Sequence, residues 1–221
     1  MASYESRKIG KLLAKHIDKD ARILDVGCGY GDKLDELTSL GYRNSSGVEI
    51  NPVLVEGARK RGFEVKSVEQ FDMEQEREAY DVLVMSHIIE HFQYQDLIPF
   101  MESYLECLKP GGLLLIATPV MNPSFYDDFD HVKPYTHIGI LSVFGGRATQ
   151  VQYHSKTTLE LVDIYFLRLA YQLKFYRTLE IHDWLYRIPR TLNRLSHLVY
   201  RLSFRMFGQP KAWIGLFRKT S

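Results

Sequence analysis

Apolar positions along this chain recur with two periods, and stretches of the two kinds alternate. Short apolar-rich runs at Arg22 to Val26, Ser46 to Ile50, Glu64 to Val68, Val82 to Ser86 and Leu113 to Thr118 have the length of buried strands. Before and between them, apolar residues fall three and four apart, as on one face of a helix, at Tyr4 to His16, Asp32 to Leu40, Pro52 to Arg61 and Gln95 to Leu108. Pro52 suits a first helical turn, where its missing N–H has no intrahelical partner to lose, and Lys109-Pro110-Gly111-Gly112 reads as a helix stop. Strands alternating with helices in this way predict an α/β fold with a doubly wound sheet.

Past Pro119 the pattern loosens. Leu159 to Leu173 reads as a strand and Ala212 to Phe217 as a closing strand, with roughly forty residues between them. A loop of that length without structure is uncommon in a compact domain, so a helical insertion over 178–208 is expected within a single domain of 1–221. Leu185, Ile188, Leu192, Leu195, Val199, Leu202 and Met206 form its apolar stripe, and Arg187, Arg190, Arg194, Arg201 and Arg205 fall on the opposite side. Trp184, Tyr186, Tyr200, Phe204 and Phe207 add aromatic mass at the flanks, and Pro189 marks a first turn or a kink. Three uses fit such a helix: packing on the sheet or a neighbouring helix, a homodimer seam, or contact of 184–207 with an anionic membrane surface.

Charge sharpens the division of the chain. The formal net charge is +1, yet residues 165–221 hold eleven Lys/Arg against Glu180 and Asp183, or +9, which leaves −8 for residues 1–164. A basic tail on an acidic half points to an anionic partner, and nucleic acid is the least favoured of the candidates. The first residues lack the apolar core of a signal peptide, and no apolar run reaches the ~20 residues of a membrane span, so a cytoplasmic location is expected, with peripheral contact at the inner face of the cell membrane as an addition. Cys28 and Cys107 stand apart, without the spacing of a disulfide framework or a structural zinc site.

The candidate chemistry begins where the first strand ends. Asp25-Val26-Gly27-Cys28-Gly29-Tyr30-Gly31-Asp32 runs from an apolar strand into three alternate glycines, and Gly47-Val48-Glu49-Ile50-Asn51 follows after a helix-length interval. A dinucleotide fingerprint reads G-x-G-x-x-G, with a pyrophosphate at the helix amino end. Here the third glycine comes one residue early and two carboxylates flank the loop. They would repel a pyrophosphate and suit an ammonium or sulfonium ligand. Glu49, closing the second strand, is placed to accept the hydroxyls of a ribose. A ribose, a cationic tail and no phosphate describe S-adenosyl-L-methionine.

On these residues, together with Asp81-Val82-Leu83-Val84-Met85-Ser86-His87 and Leu108-Lys109-Pro110-Gly111-Gly112-Leu113-Leu114-Leu115-Ile116, the chain resembles the class I S-adenosylmethionine-dependent methyltransferases, over roughly residues 20–140. The resemblance implies a Rossmann-like sheet of seven strands, mostly parallel, with an antiparallel last strand and the helical insertion replacing the family's usual hairpin before it. It also implies a cofactor site. Gly27, Gly29 and Gly31 let the backbone approach the ligand, Asp25 lies near its amino group, Glu49 takes the ribose hydroxyls and Ile50 stacks on adenine. Val68 and Glu69 face the adenine edge, and Ser86 and His87 reach the cofactor from the fourth strand. Ser67-Val68-Glu69 departs from the usual Asp-Ala or Asp-Val pair after the third strand, and Glu69 is the candidate to replace that aspartate.

Methyl transfer from a sulfonium is an in-line displacement, so the protein must align the acceptor and remove its proton if it is a hydroxyl. His131, within Asp127-Asp128-Phe129-Asp130-His131-Val132-Lys133-Pro134-Tyr135-Thr136, is the preferred base, because neighbouring carboxylates orient or charge its ring and similar bacterial methyltransferases shape their acceptor site with a comparable stretch. His87 and His91, after the fourth strand, are the further catalytic candidates. His87, Glu90 and His91 share a helical face at i, i+3 and i+4 and so mimic a metal site, but without a distinct third-ligand motif metal is discounted. The expected reaction is O-methylation of a sugar in a bacterial surface or lipid-linked glycan. Alternatives are a ubiquinone-type or other lipid O-methyltransferase, and a regulatory subunit that binds the cofactor without catalysis. No Asn-Pro-Pro-Tyr-like segment follows the fourth strand, which disfavours amino-group methylation of bases or glutamine.

Overall fold

A computed structural model describes residues 2–147, 149–173 and 187–220 of the chain. In order these form α1 (Ala2–His16), β1 (Ile23–Val26), α2 (Asp32–Ser39), β2 (Ser45–Glu49), α3 (Pro52–Lys60), β3 (Val65–Ser67), β4 (Tyr80–Ser86), α4 (Tyr94–Cys107), β5 (Leu108–Pro119), α5 (His137–Phe144), β6 (Leu159–Leu169), α6 (Arg187–Leu202) and β7 (Gln209–Lys219). Single 3-10 turns at Val68–Gln70, Ile89–His91 and Phe125–Asp127 separate some of them.

One sheet of seven strands runs in the order β3-β2-β1-β4-β5-β7-β6. Its first five strands are parallel and the last two antiparallel. Val82, Leu83, Val84 and Met85 in β4, and Leu114, Leu115 and Ile116 in β5, are all fully buried, as continuous apolar strands covered on both faces must be. Helix α3 starts as its sequence requires: the Asn51 side chain accepts the Val53 N–H at 3.0 Å, with Pro52 in the first turn.

The Lys-Pro-Gly-Gly segment does more than stop a helix. Helix α4 ends at Cys107, and β5 begins at once with Leu108 opposite Tyr80. The pairing then skips to Leu113 opposite Val82, so Lys109 to Gly112 bulge out of the strand, where Pro110 needs no ladder donor and Gly111 takes φ 76°. The strand is therefore longer than the Leu113–Thr118 run suggests.

The chain divides into two compact units, Met1–Tyr165 with Trp213–Ser221, and Phe166–Ala212. The second unit is wider than the expected insertion of 178–208. Of that insertion, residues 178–186, including Trp184, Leu185 and Tyr186, lie outside the described residues. Within the unit, α6 is tied by Tyr200, whose hydroxyl donates to the Arg168 carbonyl, by Ser196 to the Tyr171 carbonyl at 2.6 Å, and by Asn193 to both backbone groups of Leu173. Pro189 sits in its first turn. Of the described residues of its apolar stripe, Ile188, Leu192, Leu195, Val199, Leu202 and Met206 are exposed, and Tyr200 and Pro189 are the buried residues of the helix. The helix is held by polar side chains and one tyrosine, which leaves its aliphatic row uncovered.

In the first unit the buried Lys219 side chain reaches back from β7 to the end of α4. Its ammonium donates to the carbonyls of Leu105 and Leu108, each at 2.8 Å, at the end of the helix, where the Leu105 carbonyl also accepts the Leu108 N–H. Burial draws its pKa below the usual lysine value, against the pull of Glu78 and Glu106. Lys219→Met keeps the apolar stem and removes a buried donor from both carbonyls; it is expected to cost about 1–3 kcal/mol in urea unfolding at an unchanged m-value, and unaltered stability would remove this role.

Candidate active site

The crevice opens where chain connections leave in opposite directions, at the carboxyl ends of the adjacent strands β1 and β4. The loop after β1 is fixed from β2: the N–H groups of Gly27 and Cys28 donate to the Val48 carbonyl at 2.8 and 3.1 Å. The buried carboxylate of Glu49 accepts the Gly29 N–H on one oxygen and the Asn51 N–H on the other, both at 2.9 Å. Gly29 has φ 56°, and a Cβ there would meet nothing within 4 Å, so the loop backbone faces open space. A Cβ on Gly27 would strike Ile88, and one on Gly31 would lie 2.6 Å from Phe63; those two glycines serve the fold's own packing.

Asp25, Gly27, Ser86 and His87 line one cavity of about 590 Å³, together with Glu5 and Lys33. Asp25 is 2% exposed, and its Oδ2 has no hydrogen-bond partner among the described residues; the buried Ser86 Oγ is in the same position. Burial pushes the Asp25 carboxyl up to about 7; Lys33 opposes this, while Glu36 and Glu49 add to it. Two orphaned polar atoms beside an acidic, open cradle fit a ligand that brings its own ammonium and hydrogen-bonding groups. Ile50 is 73% exposed just past Glu49, and Val68 and Glu69 are exposed at the end of β3, an apolar shelf and polar rim of the kind a purine stacks on. Ser67 holds the Glu69 carboxyl below its usual value.

His87 is set by strain and by charge. It takes φ 56°, rare for a residue with a side chain, and its N–H donates to the Ala117 carbonyl at 2.8 Å. Its Nδ1 lies 3.2 Å from Glu90 and its Nε2 3.1 Å from Glu5. Each carboxylate can only accept, so both ring nitrogens carry protons. Burial opposes the charge, but the two carboxylates overcome it and raise the pKa to about 10. Glu5, held by His87 and Lys33 below the usual carboxylate range despite its burial, completes the pair. At neutral pH His87 is thus an imidazolium, the wrong state for a base. Glu5 was not singled out by its motif, though its place one turn before Ile9, on the buried face of α1, was a signal: a carboxylate in line with an apolar stripe needs a partner.

His91 and His131 meet at the other end of this network, with ring centroids 5.1 Å apart. His91 Nδ1 donates to the Asp130 carbonyl at 3.0 Å, and His131 Nδ1 to the Phe125 carbonyl at 2.6 Å. A carbonyl fixes the tautomer, so in the neutral rings Nε2 carries the lone pair. Asp128 lies 3.7 Å from His131 Nε2. The N–H groups of Val132 and Lys133 donate to the Glu90 carbonyl, which stitches this segment to the turn after β4. Glu90 itself is fully buried, bonded to His87 and to the Thr118 hydroxyl. Beyond His131, Lys133 and Tyr135 continue into the wall of a second cavity of about 390 Å³, lined mainly by apolar side chains such as Leu97, Ile98, Ile140 and Phe144.

The family model described as "Methyltransferase domain" matches residues 1–189. The ubiquinone biosynthesis O-methyltransferase of Xanthomonas oryzae pv. oryzae is 32% identical over 114 residues, covering 48% of this chain and 46% of the relative. That of Chelativorans sp. is 32% identical over 103 residues, covering 44% and 40%. The chain thus spans about half the length of the curated relatives it matches. Among solved structures, a SAM dependent methyltransferase from Archaeoglobus fulgidus superposes with a TM-score of 0.54 at 20% identity, covering 97% of this chain and 94% of that one. The YcgJ protein of Bacillus subtilis gives 0.58 at 15%, with 98% of each chain covered. These two likenesses describe the fold. With that fold, a glycine cradle closed by Glu49 and a family match over residues 1–189, the chain belongs to the class I S-adenosylmethionine-dependent methyltransferases.

Proposed function

We propose that this chain transfers a methyl group to a hydroxyl oxygen on a lipid-bearing acceptor, with His131 as the proton acceptor. The reading rests above all on the lone-pair nitrogen of His131, turned by its bond to the Phe125 carbonyl and followed along the chain by the apolar cavity. Bound S-adenosylmethionine supplies an activated methyl on sulfur, which keeps the electron pair as the new carbon–oxygen bond forms. Asp25 would hold its ammonium, Glu49 its ribose and Ile50 its adenine, with Val68 and Glu69 at the adenine edge. Ser86 and the charged His87 would hold the amino-acid end of the ligand. His131 Nε2 takes the hydroxyl proton, with Asp128 in place to support the resulting charge. His91 borders the acceptor.

An aromatic and aliphatic cavity favours a ubiquinone-type phenol or another lipid hydroxyl, in keeping with the name of the curated relatives. A sugar of a surface or lipid-linked glycan is the second reading, supported by the exposed carboxylates Asp128 and Asp130 beside His131, which suit an acceptor rich in hydroxyls. Polyprenyl phenols and lipid-linked glycans offered in parallel distinguish the two. The exposed apolar row of α6, with arginines on the other side, supports contact with an anionic membrane surface where such acceptors reside. No helix among the described residues is long and apolar enough to cross a membrane.

Three outcomes test this reading. His131→Ala is expected to lower methyl transfer by ~100-fold or more while leaving cofactor affinity within a factor of about two; equal activity rejects His131 as the base. Since Asp25 titrates near 7 and binding an ammonium favours its carboxylate, cofactor affinity measured by calorimetry should fall up to about tenfold per unit as pH drops from 7 to 5, where the ligand's amino group stays charged. Asp25→Asn should flatten that slope, and a flat wild-type profile counts against the assignment. In flotation at low salt the chain should rise with vesicles containing anionic lipid, and Leu195→Glu should weaken this; failure of the wild type to float removes the membrane contact.

A further inference from the structure

We propose that Lys133 recognises an anionic group on the acceptor, so that the molecule methylated carries a carboxylate or a phosphate beside its apolar body. The inference starts from the cavity of about 390 Å³ that Lys133 borders. Leu97 and Ile98 of α4 and Ile140 and Phe144 of α5 give it an apolar wall, to which Ser142 and Gln152 add neutral polar groups. Among the described lining residues Lys133 alone bears a charge. An apolar wall with one charged group is the usual plan of a small-molecule site, in which the wall supplies affinity and the charge selects and orients the guest.

The Lys133 ammonium is held in place without being neutralised. Its main chain is fixed, because the Lys133 N–H donates to the Glu90 carbonyl at 3.1 Å. Its Nζ stands over two rings, 5.3 Å from the centroid of Tyr94 and 5.3 Å from that of Tyr135. The second ring is itself anchored, since the Tyr135 hydroxyl donates to the Phe92 carbonyl at 3.0 Å. Aromatic faces attract a cation through their quadrupole and leave its charge intact. No carboxylate among the described residues forms an ion pair with Lys133. Asp128, close by in sequence, lies 3.7 Å from His131 Nε2 and accepts the Asp130 N–H. The lysine of the cofactor crevice, Lys33, is by contrast paired with both Glu5 and Glu36.

A cation without a counter-ion at the rim of an apolar cavity gains most from a guest that is both anionic and apolar. The walls exclude part of the water that would otherwise screen the pair. Lysine acts as a point charge with three donors, so carboxylate and phosphate both suit it. A neutral guest of the same shape fills the cavity and forgoes this contact, which makes Lys133 a specificity-determining residue. It follows His131 by two positions, so the anion and the reacting hydroxyl are met by one stretch of chain. That use of the anion rests on the O-methyl transfer reading above; the preference of the cavity for an anionic amphiphile does not.

Short amphiphiles serve as probes, with the isoleucine methyl groups of the full chain followed by NMR, separately from any assay of methyl transfer. Octanoate and octyl phosphate should shift Ile98 and Ile140 in the cavity wall, and 1-octanol should do so with an affinity lower by about fivefold or more. Lys133→Met should bring the anions to within a factor of about two of the alcohol, Lys133→Arg should keep the preference, and added salt should reduce it. Cofactor affinity unchanged in Lys133→Met shows that the crevice is native. Tighter binding of octanoate identifies a carboxylate as the preferred group, and tighter binding of octyl phosphate a phosphate. Equal affinity for the three probes, a preference that survives Lys133→Met, or shifts confined to Ile188 on α6 overturns the inference. Each of those results leaves methyl transfer through His131 standing, and a chain that prefers the anions yet methylates no acceptor leaves the anion site standing.

Discussion

The carboxylate of Glu49 is the fixed point of this structure. It stands at the end of β2, holds the glycine loop through Gly29 and holds the start of α3 through Asn51. A single buried side chain thus sets the distance between two strand ends and the elements that follow them. Each of its oxygens already accepts one backbone N–H and has room for one more donor. The geometry that shapes the cradle therefore need not be dismantled when hydroxyl groups arrive. Removing such a group would loosen the loop as well as the ligand, since an unmet N–H at Gly29 would seek another partner.

Charge is distributed around the crevice in a chain of alternating signs. Lys33 pairs with Glu5, Glu5 with His87, and His87 with Glu90. Burial works against the charge of Glu5 and of His87, and their contact with opposite charges more than offsets it. Asp25 stands outside this chain, and its second oxygen finds no donor among the described residues. The site is acidic where it is open and balanced where it is closed, as expected of a pocket prepared for a cationic guest.

The parallel half of the sheet was legible because strands buried on both faces must be largely apolar, as β1 apart from Asp25, β4 from Val82 to Met85 and the far part of β5 are. The glycine loop and Glu49 were legible for a related reason, since turn geometry leaves little choice of residue. The near part of β5 was hidden by Pro110 and the glycines, which punctuate a chain equally well at a turn and at a bulge. Contacts between distant segments left no trace in spacing: His91 and His131 meet because backbone bonds from Val132 and Lys133 tie their loop to Glu90. The periodicity of α6 was plain, but periodicity names a face without saying what covers it, and here that face is bare.

Strand β7 carries a consequence of its own. It follows β6 in the chain but lies between β5 and β6 in the sheet, and it brings the fully buried Trp213, whose indole N–H donates to the Tyr135 carbonyl at 2.8 Å. During synthesis, β6 therefore has no neighbour in the sheet until the residues of β7 have left the ribosome, after all of 170–208 has been made. Closure of such a long loop delays the gain from its contacts. For that interval the edge of β5 is open, and the nascent chain carries an unpaired strand edge. The arrangement makes completion of the sheet a late event, in a protein whose cofactor cradle lies at its opposite, early-made side.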